Sequence, residues 1–169
     1  SALQIVMDFG KSRNRYEMFK LLDDYKRYSA TIHWSTKLNF YKEDKMKTAK
    51  DYLQEANEVV KKIDVKEAIE KHKSKSSIFI DVRDSSDIKK TGTILDGLEI
   101  PRGLIEFVAD EATPLYNDKL KKDSEIILIC GVGGQAALAG KTLIEMGYKN
   151  VFNAGGIPDW EKNGGPMKK

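Results

Sequence analysis

Short apolar runs alternate with helix-spaced apolar stripes along most of this chain. Ile126-Ile127-Leu128-Ile129 is apolar at every position, which predicts a strand covered on both faces. Ile78-Phe79-Ile80-Asp81-Val82 is a second such run, rich in β-branched residues. Leu98-Glu99-Ile100 predicts a short strand ending at Pro101. Val59 to Ile63 predicts a short edge strand, and Val151-Phe152 the start of a last one. Helix signals lie between these runs. Asp64 predicts the cap of a helix running to about His72, with Glu67 completing a capping box. A polar turn at Asp84-Ser85-Ser86-Asp87 leads to a short helix stopped by Gly92. Leu104 to Asp110 reads as helical, and so does Gly134 to Met146, closed by Gly147. Pro158 suits the first position of a final helix. Strands separated by helices predict an α/β fold, with a central, mostly parallel sheet flanked by helices.

The first part of the chain differs. Tyr16, Phe19, Leu22 and Tyr25 keep helical spacing, and so do Met46, Ala49, Leu53, Ala56 and Val60. Such stripes predict a helical arm that packs on the main domain or on a second copy, giving a homodimer. A length of 169 residues suits one domain plus an extension. Hydrophobic residues make up 40% and charged residues 33%, which excludes a disordered tail. No apolar run approaches the ~20 residues of a membrane helix, so no membrane partner is expected. The 29 basic and 26 acidic residues are interleaved, which argues against a nucleic-acid partner. Met7 is followed by Asp8, Lys11 and Arg13 rather than an apolar core, so a cytoplasmic location is expected. One cysteine, with His33 and His72 as the only histidines, predicts a free thiol and no metal site.

Cys130 follows directly on the Ile126–Ile129 run, and Gly131, Val132, Gly133 and Gly134 follow it, before a helix. In parallel α/β folds, ligands bind at this end of the strands. Three glycines in four positions let the backbone curl tightly. A curled loop at a helix start aims several N–H groups at one point, beside the positive end of the dipole. A sulfur held there is favoured as the nucleophilic thiolate. The expectation is a ring of amides around a solvent-reachable sulfur. A cysteine buried as a small hydrophobe is the competing reading.

The stretch Cys130-Gly-Val-Gly-Gly-Gln135-Ala136-Ala-Leu-Ala-Gly resembles the active-site loop and helix of rhodanese-like sulfurtransferase domains. Further blocks agree in order: Ile80-Asp81-Val82-Arg83, Ile100-Pro101-Arg102-Gly103, Met146-Gly147-Tyr148, and Gly155-Gly156 with Trp160. Met46-Lys-Thr-Ala-Lys-Asp-Tyr-Leu resembles the start of one bacterial branch. The resemblance covers about residues 46 to 166. It implies a single rhodanese-like domain over 46–169 and an N-terminal helical extension over 1–45. It also implies sulfur transfer through a Cys130 persulfide. A small sulfur donor would load it, and a thiol, cyanide or a protein would accept the sulfur. The active-site loop of Gly131, Val132, Gly133, Gly134 and Gln135 would bind substrate, and no cofactor is needed.

Two departures stand out. The family often has Arg where this chain has Gln135 and Ser or Thr at Ala136. Gln lacks the fixed charge and forked geometry that grip an anion, so thiosulfate is expected to be a poor donor. Gly92-Thr-Ile-Leu-Asp-Gly97 also departs, in what is mainly a turn, where altered packing is expected more than lost chemistry. Arg102 follows a strand and is expected near the loop, supplying the charge that Gln135 lacks. Asp81 and Arg83 are expected as a structural ion pair near the site. Trp160 reads as a packing residue, and His72 as solvent-facing. Two alternatives stay open: a catalytically idle module that binds a partner or senses redox state, and a cysteine phosphatase or arsenate reductase-like enzyme. Gln135 speaks against the second alternative, because those enzymes need Arg there to hold a dianion.

Overall fold

The computed structural model describes residues 46–169. The arm expected over 1–45, and the dimer contact assigned to it, lie outside these residues. Lys47–Lys169 forms one compact unit. Its elements, in chain order, are helix α1 (Ala49–Val59), strand β1 (Lys61–Lys62), α2 (Val65–Lys73), β2 (Ile78–Asp81), α3 (Ser85–Thr91), β3 (Thr93–Ile94) and β4 (Leu98–Glu99). A 3₁₀ turn (Arg102–Leu104), α4 (Ile105–Val108), β5 (Glu125–Cys130), α5 (Gly134–Glu145), β6 (Asn150–Gly156), α6 (Ile157–Lys162) and β7 (Met167–Lys168) follow.

Five strands form one sheet in the order β1-β6-β5-β2-β4, and every pairing in it is parallel. The expected α/β architecture, with helices flanking a central sheet, is the one observed. The all-apolar run of β5 is explained by its two faces. Ile126, Leu128 and Cys130 pack on one side with Ile80, Ala136, Ala139 and Leu143. Ile127 and Ile129 pack on the other with Ala68, Ile69, Phe79, Ile157 and Trp160. Alternation along a strand sends successive side chains to opposite faces. Helix α5 therefore covers the Cys130 face, while α2 and α6 cover the other.

Several local expectations are corrected. Asp64 caps α2 by accepting from the Lys66 N–H at 2.8 Å. The two-way capping box stands instead at α1, where Thr48 and Asp51 bond each other's backbone. The stretch from Leu104 to Asp110 is not one helix but a 3₁₀ turn followed by α4, because a 3₁₀ bond from Leu104 to Pro101 comes first. Pro158 takes the second position of α6, after Ile157. Strands β3 and β7 pair antiparallel in a small ribbon of their own, a contact between distant short segments that periodicity does not show. His72 is not turned to solvent. Its ring packs edge-on against Phe79 and Trp160, and its Nε2–H donates to the Leu95 carbonyl at 2.7 Å. Trp160 is fully buried, as expected for packing.

Candidate active site

Cys130 is the last residue of β5, at the carboxyl edge of the parallel sheet. Its neighbour β6 reaches the same edge with a register shift. Leu128 pairs with Asn153, but Cys130 pairs with Gly156, so β6 carries one extra residue there. A bulge of this kind re-aims the chain at the end of a strand. Gly155 sits in it with φ +87°.

The loop after Cys130 turns sharply at Gly133, the residue before α5, with φ 96° and ψ −13°. Only glycine adopts this left-handed conformation without strain. The turn brings the Gly133 N–H back to the Cys130 Sγ, to which it donates at 3.1 Å. The N–H groups of Gly134, Gln135 and Ala136 open the first turn of α5, where helix geometry supplies no intrahelical acceptor. One amide thus holds the sulfur directly, and the start of α5 lies beside it. The loop tip, Val132, is 91% exposed. Gly131 and Gly134 are half-buried and Gln135 is exposed.

The expected ring of amides around a solvent-reachable sulfur is corrected: one amide bonds the sulfur, and the sulfur is buried. Cys130 is 2% exposed, because its side chain shares the covered face of β5 with Ile126 and Leu128. It lies at the floor of the glycine loop rather than at its rim.

The loop is also packed tightly from below. A Cβ on Gly156 would stand 2.3 Å from the Gly131 carbonyl oxygen and 3.1 Å from the Val132 Cα. A Cβ on Gly134 would meet the Leu53 side chain of α1 at 3.5 Å.

Asn153 is a site residue that sequence reasoning missed. Its side chain is buried among the apolar positions of β6. Its Nδ2 donates to the Gly133 carbonyl at 3.0 Å, and its Oδ1 accepts from the Gly155 N–H at 2.9 Å. The available signal is a polar amide at an inward position of Val151-Phe152-Asn153-Ala154, because buried polar side chains need partners.

The other expected residues fall elsewhere. Asp81 and Arg83 are 1% and 5% exposed and form an ion pair at 2.6 Å. Thr93 donates to Asp81 at 2.7 Å, and Arg83 donates to Thr91 and to the Gly92 carbonyl. The pair anchors the α3–β3 turn. Asp81 lies in register with Ile129, so it points to the face opposite Cys130. Arg102 is not aimed at the loop. Its guanidinium pairs with Glu106 at 2.9 Å and donates to Thr142 at 3.1 Å. Thr142 lies eight residues into α5 from Gly134, roughly 12 Å along the axis at 1.5 Å per residue. No cationic side chain belongs to the segment Cys130–Ala136. Among the described residues, no group of three or more His, Cys, Asp or Glu side chains could hold a metal ion, and no helix is long and apolar enough to cross a membrane.

Comparison with known proteins agrees with this geometry. Residues 62–163 match the rhodanese-like domain. Among solved structures, the chain is similar to a protein of unknown function from Rhodopseudomonas palustris, described as a possible tyrosine phosphatase. The identity is 32% and the TM-score 0.69, over 73% of this chain and 96% of that one. It is similar to the 30 kDa polysulfide-sulfur transferase homodimer of Wolinella succinogenes at 27% identity and TM-score 0.57, over 69% and 83%. It shares its fold with a human single-domain sulfurtransferase at 24% identity and TM-score 0.54, over 60% and 95%. No curated protein matches the chain. A parallel sheet in this order, a cysteine at the end of its central strand and a match over most of the described residues agree: the chain belongs to the rhodanese-like domain family.

Proposed function

We propose that the protein is a sulfurtransferase that carries sulfane sulfur on Cys130. The observation that carries this reading is the Gly133 N–H donated to Sγ from the cap of α5. That N–H is placed to donate to the sulfur through loading and transfer. The Cys130 thiolate attacks the outer sulfur of a persulfide or polysulfide donor. The donor's S–S bond breaks, its remaining thiolate leaves, and a Cys130 persulfide forms. A thiol, cyanide or protein acceptor then attacks the outer sulfur. The bond to Sγ breaks, and the Cys130 thiolate returns. No oxidant is consumed.

A persulfide puts its outer sulfur about 2 Å beyond Sγ. With Sγ at the floor of a glycine loop, a narrow, sulfur-terminated donor fits better than a bulky one. The loop holds no cation, and Arg102 is occupied by Glu106. Both facts favour a less charged persulfide, free or on a protein carrier, over the thiosulfate dianion, whose two charges would need a fixed partner. The same lack of a cation weighs against phosphate-ester hydrolysis, the activity suggested for the R. palustris protein. A homodimer, as in the W. succinogenes enzyme, fits a reading in which the N-terminal segment joins two copies.

The test uses intact mass after incubation with glutathione persulfide, with polysulfide and with thiosulfate. The expected result is a one-sulfur gain, released as thiocyanate by cyanide and absent from Cys130→Ser. Failure of every donor to load the protein would leave an idle partner-binding module. Release of phosphate from an aryl phosphate would move it to the phosphatases.

A further inference from the structure

We infer that Asn153 is a positioning residue for Cys130, acting through the backbone conformation of Gly133. The inference rests on the proposed sulfur transfer, because the sulfur it serves is the one that reacts there.

Strand alternation aims this side chain, and the bulge just after it supplies a partner. Val151 packs on the α5 face, while Phe152 and Ala154 pack on the other, so alternation turns Asn153 toward α5 and the cysteine loop. The extra residue before Gly156 frees the Gly155 N–H from the ladder. The Asn153 Oδ1 takes that N–H at 2.9 Å, closing a local turn and fixing the amide's orientation. With Oδ1 so engaged, Nδ2 faces the loop and donates to the Gly133 carbonyl at 3.0 Å. That carbonyl also accepts from the Ala137 N–H at 3.0 Å, the first bond of α5.

Gly133 is therefore held at both ends. Its carbonyl has two donors, and its N–H has the sulfur at 3.1 Å. This matters because glycine with φ near +96° has no side chain to resist rotation. Without Asn153, one bond within the helix would hold the carbonyl, and rotation about the Gly133 φ and ψ bonds could swing the Val132–Gly133 peptide, and with it the Gly133 N–H, off the sulfur. A side chain buried to 4% exposure with both ends of its amide bonded is a rigid strut. A sub-ångström change in the donor's aim is enough to alter rate, since a misplacement of about 1 Å can cost on the order of a hundredfold.

The experiment uses the full chain and two variants, Asn153→Asp and Asn153→Ser. Asn153→Asp keeps the acceptor for Gly155 but faces the Gly133 carbonyl with a second oxygen. Asn153→Ser keeps a hydroxyl too short to reach the loop. Loading with glutathione persulfide is followed by mass, and the Gly133 amide by ¹⁵N-resolved NMR. In both variants kcat for loading should fall about tenfold or more, with KM within about twofold. The Gly133 amide resonance should move toward its position in Cys130→Ala, where the sulfur acceptor is gone. A folded variant whose Gly133 resonance stays at the wild-type position overturns the inference. If wild-type protein takes no sulfur but the resonance moves, the transfer reading fails and the positioning role stands. Should neither variant fold, hydrogen exchange in the wild type decides. The Gly133 N–H must exchange more slowly than that of exposed Val132, and equal exchange overturns the inference.

Discussion

Cys130 reacts, on this reading, in a loop whose side chains carry no positive charge. Gln135 offers N–H donors but no guanidinium, and Arg102 is held by Glu106 and Thr142. Replacing Gln135 with Arg restores a forked cation at the mouth of the loop. The expected outcome is a rise of about tenfold in kcat/KM for thiosulfate, with persulfide turnover little changed. Steady-state kinetics with both donors checks it, and unchanged thiosulfate turnover would sink the donor argument. Gly156 supplies a second test. A methyl group there would lie 2.3 Å from the Gly131 carbonyl oxygen, against backbone rather than a flexible side chain. Gly156→Ala must push the loop away. Overpacking of this kind costs about 1–3 kcal/mol, read by chemical denaturation, and persulfide loading should fall more steeply than stability.

At the scale of elements, the turn from α3 into β3 depends on one buried ion pair. Arg83 grips both Asp81 oxygens, and Thr93 and the Gly92 carbonyl complete the set. Removing one partner leaves the other charge buried without compensation. Arg83→Ala is expected to cost about 3–5 kcal/mol, measured by urea unfolding. The pair faces away from Cys130, so whatever folded protein remains should still load sulfur. A second element contact ties α2 to the start of β5. Lys71 bonds Glu125 at 2.9 Å, and the Ser77 hydroxyl donates to the same carboxylate. Burial pushes the Glu125 carboxyl up, but the Ser77 hydroxyl and the Lys71 ammonium outweigh it and hold it below the usual range.

Over the whole molecule, two side chains add a pH dependence to the stability of the fold. The Glu125 carboxyl titrates lower when folded, so its contribution is present above the ordinary carboxylate value and lost as pH falls through the folded one. Glu125→Gln should therefore flatten the acid side of the stability curve. Tyr148 contributes on the alkaline side. Its hydroxyl donates to the Ala109 carbonyl at 2.8 Å inside the core, and burial pushes its pKa up to about 12. The phenol is raised in the fold, so its contribution is complete below the ordinary value near 10 and is lost as pH climbs toward 12. Melting curves from pH 9 to 12 should show that loss in the wild type, and Tyr148→Phe should lose less.

Local pattern determined a good deal of this protein. The apolar run through Ile129 made β5 a strand covered on both faces, and strand–helix alternation made the sheet parallel. The glycines after Cys130 placed the sulfur at a helix start. These are short-range facts, since a strand's face, a turn's φ and a helix's cap are set by residues a few positions apart. Other features came from partners far apart in the chain. Tertiary packing decided that Cys130 faces α5 and is buried, and that Asp81 faces the other way. It decided that Arg102 reaches across to Thr142, forty residues on. It also set the one-residue slip of β6 against β5, which leaves the Gly155 N–H to Asn153. Register and side-chain partnership depend on which strands lie side by side, and no window of neighbouring residues carries that information.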